Sequence, residues 1–106
     1  MSPICRALLP AVVAAIACPA ARAQDANALQ LRSLAATCAQ CHGSDGRGVP
    51  GSIVPALAGL PASYTIEQMA AFKAATRPAT VMTQLAKGYS DAQIRQLAAY
   101  FAAPPQ

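Results

Sequence analysis

Two cysteines and a histidine stand together in the run Cys38-Ala39-Gln40-Cys41-His42. The spacing has a chemical use. Two thiols three positions apart, at the end of a helix, can each add to one of the two vinyl groups of a single porphyrin. The adjacent imidazole then lies under the iron and supplies an axial nitrogen. C-x-x-C-H is the attachment signature of a c-type haem. The expectation is one haem c, covalent through Cys38 and Cys41, with His42 on the iron.

Three other chemistries use the same residue types. A zinc site built on Cys38, Cys41 and His42 needs a fourth ligand, and the sequence beyond residue 23 has no other Cys or His. A thiol redox pair of the thioredoxin kind needs a βαβ setting, and no alternating strand pattern is present. A purely structural role would leave two free thiols in an oxidising compartment.

The sixth ligand decides what a haem does. His42 is the only histidine, so two imidazoles from one chain cannot meet at the iron. Met69, Met82, Lys73, Lys87 and an open site are the candidates. Met69 is spaced with Ile66 and Phe72 as a core residue would be. Met82 follows the loop-like run Arg77-Pro78-Ala79-Thr80-Val81, 40 residues after His42. A ligand arriving from a loop on the opposite face is what a haem crevice requires, so Met82 is the expected ligand beside His42.

These residues need elements to hold them, and the periodicity reads as helices. Asn27 to Thr37 is rich in good helix formers, with Leu31, Leu34 and Ala35 on one face and Asp25 or Asn27 as N-cap. Residues 43–62 are rich in Gly and Pro and read as loop. Ser63 or Thr65 opens a second helix to about Ala75, with Thr65 and Gln68 spaced as a capping box. A short turn or helix spans Thr80 to Lys87 and ends at Gly88. Ser90 and Gln93 form another capping box. The last helix then sets Ile94, Leu97, Ala98 and Phe101 on one face.

The chain has 106 residues, 55% hydrophobic and 11% charged, with net charge +4. That is one small folded domain rather than a disordered chain. Arg6 precedes an apolar run, Ala7 to Ala17, and Ala21-Arg22-Ala23 fits a signal peptidase site. Residues 1–23 are expected to be a signal peptide and 24–106 the mature domain, exported to the periplasm. The run is too short for a permanent membrane span. The alternative is a lipid anchor at Cys18, since Ala15-Ile16-Ala17-Cys18 loosely resembles a lipobox. Beyond residue 23, six Lys and Arg face four Asp and Glu, which leaves no basic stripe for nucleic acid. A domain this small and alanine-rich is marginal by itself, and a large apolar cofactor would complete its core.

In order, these features resemble the class I c-type cytochromes: the haem motif near the N-terminus, the Met loop toward the C-terminus, and a terminal helix behind it. The resemblance implies an all-α fold, three to four helices around one haem, with first and last helices crossing at Leu31, Leu34, Leu97 and Phe101. Pro55-Ala56-Leu57-Ala58-Gly59 looks like the family's Pro-x-Leu-x-Gly loop. By that analogy the Pro55 carbonyl accepts the His42 Nδ1 hydrogen. Arg77 to Met82 and Ala86 to Asp91 are similar to the haem subunit of flavocytochrome c sulfide dehydrogenase. That implies a flavoprotein partner, carrying FAD, that oxidises sulfide.

The expectation is therefore a single-electron carrier and not an enzyme by itself. Lys73, Arg77, Lys87 and Arg95 could steer an acidic partner, and Arg77 or Tyr64 could bond a haem propionate. The alternatives are a freely diffusing cytochrome that serves a terminal oxidase or reductase, and a haem sensor or enzyme with an open sixth site.

Overall fold

The computed structural model describes residues 18–103, with side chains from Ala23 onward. Contacts divide the chain after Gln30. Of the first unit, the described part is helix; the packed body is the second, from Leu31. Most of the expected leader lies outside the described residues.

Helix α1 runs Cys18–His42. It starts well before Asn27, so Asp25 and Asn27 are interior residues and not caps. It also passes Thr37 and carries the cysteine motif in its last turns. Nothing in residues 27–42 breaks a helix: the stretch has no Gly or Pro until Gly43, where φ is +84°. A 3-10 turn follows at Ser44–Gly46, then an irregular loop to Pro61.

Helix α2 spans Ala62–Lys73 with Pro61 before it and no side-chain cap. The Thr65–Gln68 capping box does not form. Pro61 sets the start one turn earlier, and the Gln68 side chain accepts instead from Arg77 Nη1. Helix α3 is one turn, Met82–Leu85, continued by a 3-10 turn at Ala86–Gly88. Helix α4 spans Asp91–Ala102. Its start follows the sequence expectation: Gln93 N–H donates to Ser90 Oγ at 3.1 Å, and Ser90 N–H donates to Gln93 Oε1 at 2.9 Å.

The core is small. Ile94, Leu97, Ala98 and Phe101 of α4 are buried, as their spacing predicts. Ala35 of α1 packs with Leu97 and Phe101, and Leu34, Cys38, Leu57, Tyr89 and Tyr100 close round them. The crossing of first and last helices is thus centred on Ala35; Leu31 is only half-buried. Helix α2 packs on α4 and on the α3 segment. Lys73 of α2 pairs with Asp91 of α4 at 3.0 Å. Among the described residues there is no strand, and no helix is long and apolar enough to cross a membrane.

Candidate functional site

The last two turns of α1 place Cys38, Cys41 and His42 at i, i+3 and i+4, on neighbouring positions of the helix surface. Their surroundings differ. Cys41 is exposed, while Cys38 is half-buried against the Ala35–Leu97–Phe101 cluster. Burial pushes the Cys38 thiol above its ordinary value, against a smaller downward pull from hydrogen bonding to Thr37 and Tyr89. Thr37 anchors this turn. Its hydroxyl donates to the Leu34 carbonyl at 2.7 Å, so at 2.7 Å from Tyr89 Oη it must accept. That bond ties α1 to the segment just before α4.

His42 is only 9% exposed. Its Nδ1 lies 2.6 Å from the Pro55 carbonyl oxygen. A carbonyl can only accept, so Nδ1 carries the hydrogen and Nε2 carries the free lone pair. The ring is therefore held in the tautomer and orientation that present a nitrogen ligand. The backbone of His42 is tied as well, because Gly48 N–H donates to its carbonyl at 2.7 Å.

The loop that delivers Pro55 is fixed by glycines. Gly43 has φ +84°, and a Cβ there would run into the Gly48 carbonyl. Gly46 has φ +72°, and a Cβ there would stand 2.7 Å from the Phe101 ring. Leu57 N–H and Ala58 N–H both donate to the Gly46 carbonyl, at 2.7 and 2.9 Å, and Gly59 N–H donates to Phe101 O at 2.9 Å. The Pro-x-Leu-x-Gly loop is thus pinned to the 3-10 turn and to the end of α4. Tyr100 Oη adds a bond to Asp45 at 3.2 Å. That bond and partial burial hold the Tyr100 hydroxyl above its usual range, burial being the larger cause.

Cys38, Cys41, His42 and Pro55 are therefore drawn into one site. Met82 is carried by a separate element: it is half-buried and opens α3. Of the other sixth-ligand candidates, Lys73 is engaged with Asp91, Met69 is half-buried on α2, and Lys87 is exposed in the 3-10 turn. Arg77 stacks over the Phe72 ring at 4.8 Å besides bonding Gln68. Lys73 and Arg77 are therefore structural cations and not members of a free basic ring, whereas Lys87 and Arg95 are exposed.

The donor set suits a porphyrin. Two thiols and a buried imidazole with a free Nε2 occupy one helix end. Large apolar side chains stay exposed beside the segments that carry Pro55 and Met82: Val49, Ile53, Val81 and Leu85. Such surface is costly unless something apolar covers it. Among the described residues no three His, Cys, Asp or Glu side chains gather as a metal cluster.

The comparisons with known proteins agree with this chemistry. The family model described as "Cytochrome c" matches residues 32–103. A thiosulfate dehydrogenase electron acceptor from Thiomonas intermedia is 43% identical over 67 residues, 63% of this chain and 31% of the relative. The cytochrome subunit of sulfide dehydrogenase from Chlorobaculum tepidum is 38% identical over 68 residues, 64% of this chain and 60% of the relative. A solved cytochrome c4 from Acidithiobacillus ferrooxidans aligns with TM-score 0.56 and 43% identity, covering 61% of this chain and 37% of that one. The chain spans less than two thirds of the length of each of these relatives.

Proposed function

The chain belongs to the cytochrome c family of electron-transfer proteins, with covalent haem c, and on that premise we propose that His42 and Met82 are the axial ligands of a haem held by Cys38 and Cys41. When bound, the haem supplies a one-electron iron couple. The carrying observation is the 2.6 Å contact of His42 Nδ1 with the Pro55 carbonyl. This bond keeps Nε2 free, prevents ring rotation and raises the basicity of the ligating nitrogen. Met82 opens the short helix that follows the Arg77–Val81 run, and its thioether raises the potential relative to a second nitrogen ligand. Residues 1–23 act as a leader, and the mature protein works in the periplasm.

The partner we propose is a flavoprotein that oxidises sulfide. The Arg77–Met82 and Ala86–Asp91 runs support it, as does the sulfide dehydrogenase relative from Chlorobaculum tepidum. The thiosulfate dehydrogenase electron acceptor from Thiomonas intermedia supports a second reading, in which the electrons come from thiosulfate.

Optical spectra of the holoprotein test the ligand set. The ferric protein should show the weak sulfur-to-iron charge-transfer band, and Met82→Ala should abolish it, lower the potential and admit external ligands. An unchanged band in Met82→Ala refutes the assignment. For the partner, rapid mixing with a sulfide-reduced flavoprotein should reduce the haem quickly. Reduction only by a thiosulfate dehydrogenase would favour the second reading.

A further inference from the structure

Met82 rides on a strap, residues 78–88, that lies between α2 and α4. Among the described residues, the backbone hydrogen bonds of this strap are local. Gln84 and Leu85 N–H both donate to Val81 O at 3.0 Å, and Ala86 N–H donates to Met82 O. Pro78 to Val81 are exposed, and Met82 is half-buried. The strap packs on α2 and buries Ala86, but a methyl side chain gives little directional hold. The specific attachments are at its two ends. At the first end, Arg77 stacks over the Phe72 ring at 4.8 Å, bonds Gln68, and donates its N–H to Ala71 O at 3.3 Å. All three partners belong to α2.

At the second end stands Tyr89. It is the single extended residue, with φ −109° and ψ 137°, between the 3-10 turn and the Ser90 cap of α4. The chain changes direction there, and the side chain is held. Its half-buried ring packs on the Ala35–Leu97–Phe101 cluster. Its hydroxyl donates to Thr37 Oγ1 at 2.7 Å, 52 positions away in sequence. Thr37 in turn donates to Leu34 O at 2.7 Å, and its Oγ1 stands 3.9 Å from Cys38 Sγ. The bond therefore ends beside the first cysteine of the haem motif. One end of the strap is moored to α2, the other to the helix that carries Cys38, Cys41 and His42.

We propose that Tyr89, through its ring and its bond to Thr37, anchors the Met82 strap to the haem-bearing end of α1 and so acts as a positioning residue for the sixth ligand. The proposal rests on the reading of Met82 as that ligand. Helical turns fill the interval from Met82 to Tyr89, Met82–Leu85 and then Ala86–Gly88, so a fixed end is transmitted along a stiff path. For Met82 to leave the iron the strap must swing out, and the Tyr89–Thr37 bond breaks with it. The bond thus opposes ligand exchange and holds one ligand set through the redox cycle. Thr37 is exposed, so water replaces part of the lost bond. The share of the hydroxyl is then at the lower end for a hydrogen bond, about two- to fivefold in the opening equilibrium.

The test titrates ferric holoprotein with imidazole, which competes with Met82 for the iron, and follows the loss of the sulfur-to-iron charge-transfer band. Tyr89→Phe keeps the ring and removes the hydroxyl. It should bind imidazole about two- to fivefold more tightly. Thr37→Val should do the same from the other side of the bond, and the double variant should change no further than either single one. Thr37→Ser should keep the wild-type affinity. Ala99→Gly, at an exposed position toward the far end of α4, weakens the fold away from Tyr89 and should leave the affinity unmoved. Unchanged affinity in Tyr89→Phe overturns the proposal, since the strap would then open with Tyr89 in place. So do additive effects in the double variant, or an equal gain in Ala99→Gly, which would mark a general loss of stability. If Tyr89→Phe yields no holoprotein, Thr37→Val against Thr37→Ser decides the same point. A wild-type protein without the charge-transfer band would overturn Met82 ligation and this proposal together. A wild-type band with unmoved variants overturns the anchor alone.

Discussion

Replacing Ala75 by glycine should stabilise the protein. Helix α2 ends in a Schellman motif: Thr76 N–H donates to Ala71 O at 3.0 Å and Ala75 N–H to Phe72 O at 3.1 Å. The motif requires a left-handed residue, and that residue is Ala75, with φ +55°. An L-residue in that conformation costs about 1–2 kcal/mol. Glycine avoids the strain but gives back roughly 0.5–1 kcal/mol through the greater freedom of its unfolded chain. Ala75 is exposed, so its methyl contributes little packing. The balance is a gain of about 0.5–1 kcal/mol, which for a domain of this size raises Tm by roughly 2–8 °C. Thermal unfolding of the holoprotein followed by circular dichroism, with a denaturant titration beside it, measures this. Ala70→Gly is the internal control. It sits in the interior of the same helix and should lose about 1 kcal/mol. If Ala75→Gly is neutral or destabilising while Ala70→Gly falls as expected, the left-handed strain is not where the geometry puts it.

Two further changes address α4. Ser90→Ala removes the side-chain half of the capping box and should cost about 1 kcal/mol; an unchanged denaturation midpoint would show that solvent caps the helix equally well. The carboxyl of Asp91 is held below the ordinary carboxylate range, first by its hydrogen bond to Lys73 and then by the charge of Lys73. A depressed carboxylate stabilises the fold above its unfolded pKa, and that contribution disappears as pH falls through the folded value. Asp91→Asn should therefore flatten the stability profile below about pH 4. The effect should be small and shrink with added salt, because the Asp91 side chain is 82% exposed. A stability profile identical to wild type across that range would remove the Lys73–Asp91 pair as a contributor.

Much of the site was legible because its parts are local. The cysteine motif lies within five consecutive residues, and its chemistry follows from residue type and spacing. The Ser90–Gln93 box and the Ile94–Phe101 face also involve partners within two turns of one helix, where periodicity reports them directly. The α2 start shows the limit of the same logic. Thr65 and Gln68 have the spacing of a cap, yet Pro61 begins the helix earlier and Arg77, nine positions on, takes Gln68. A local pattern was outcompeted by a partner from a different part of the chain.

By itself, then, the sequence specified that helices form but not where the first two begin, and it specified the haem chemistry and the terminal helix face, since these depend on interactions a few residues long. The tertiary structure decided what joins segments far apart. It set the tautomer of His42 through Pro55, 13 residues away, and tied Thr37 to Tyr89 across 52. It centred the contact of the first and last helices on Ala35, which is buried with Leu97 and Phe101, rather than on the half-buried Leu31. It also left the Thr65 hydroxyl buried and unpaired, a feature no spacing rule reveals, since satisfaction of a polar group depends on everything that surrounds it in space.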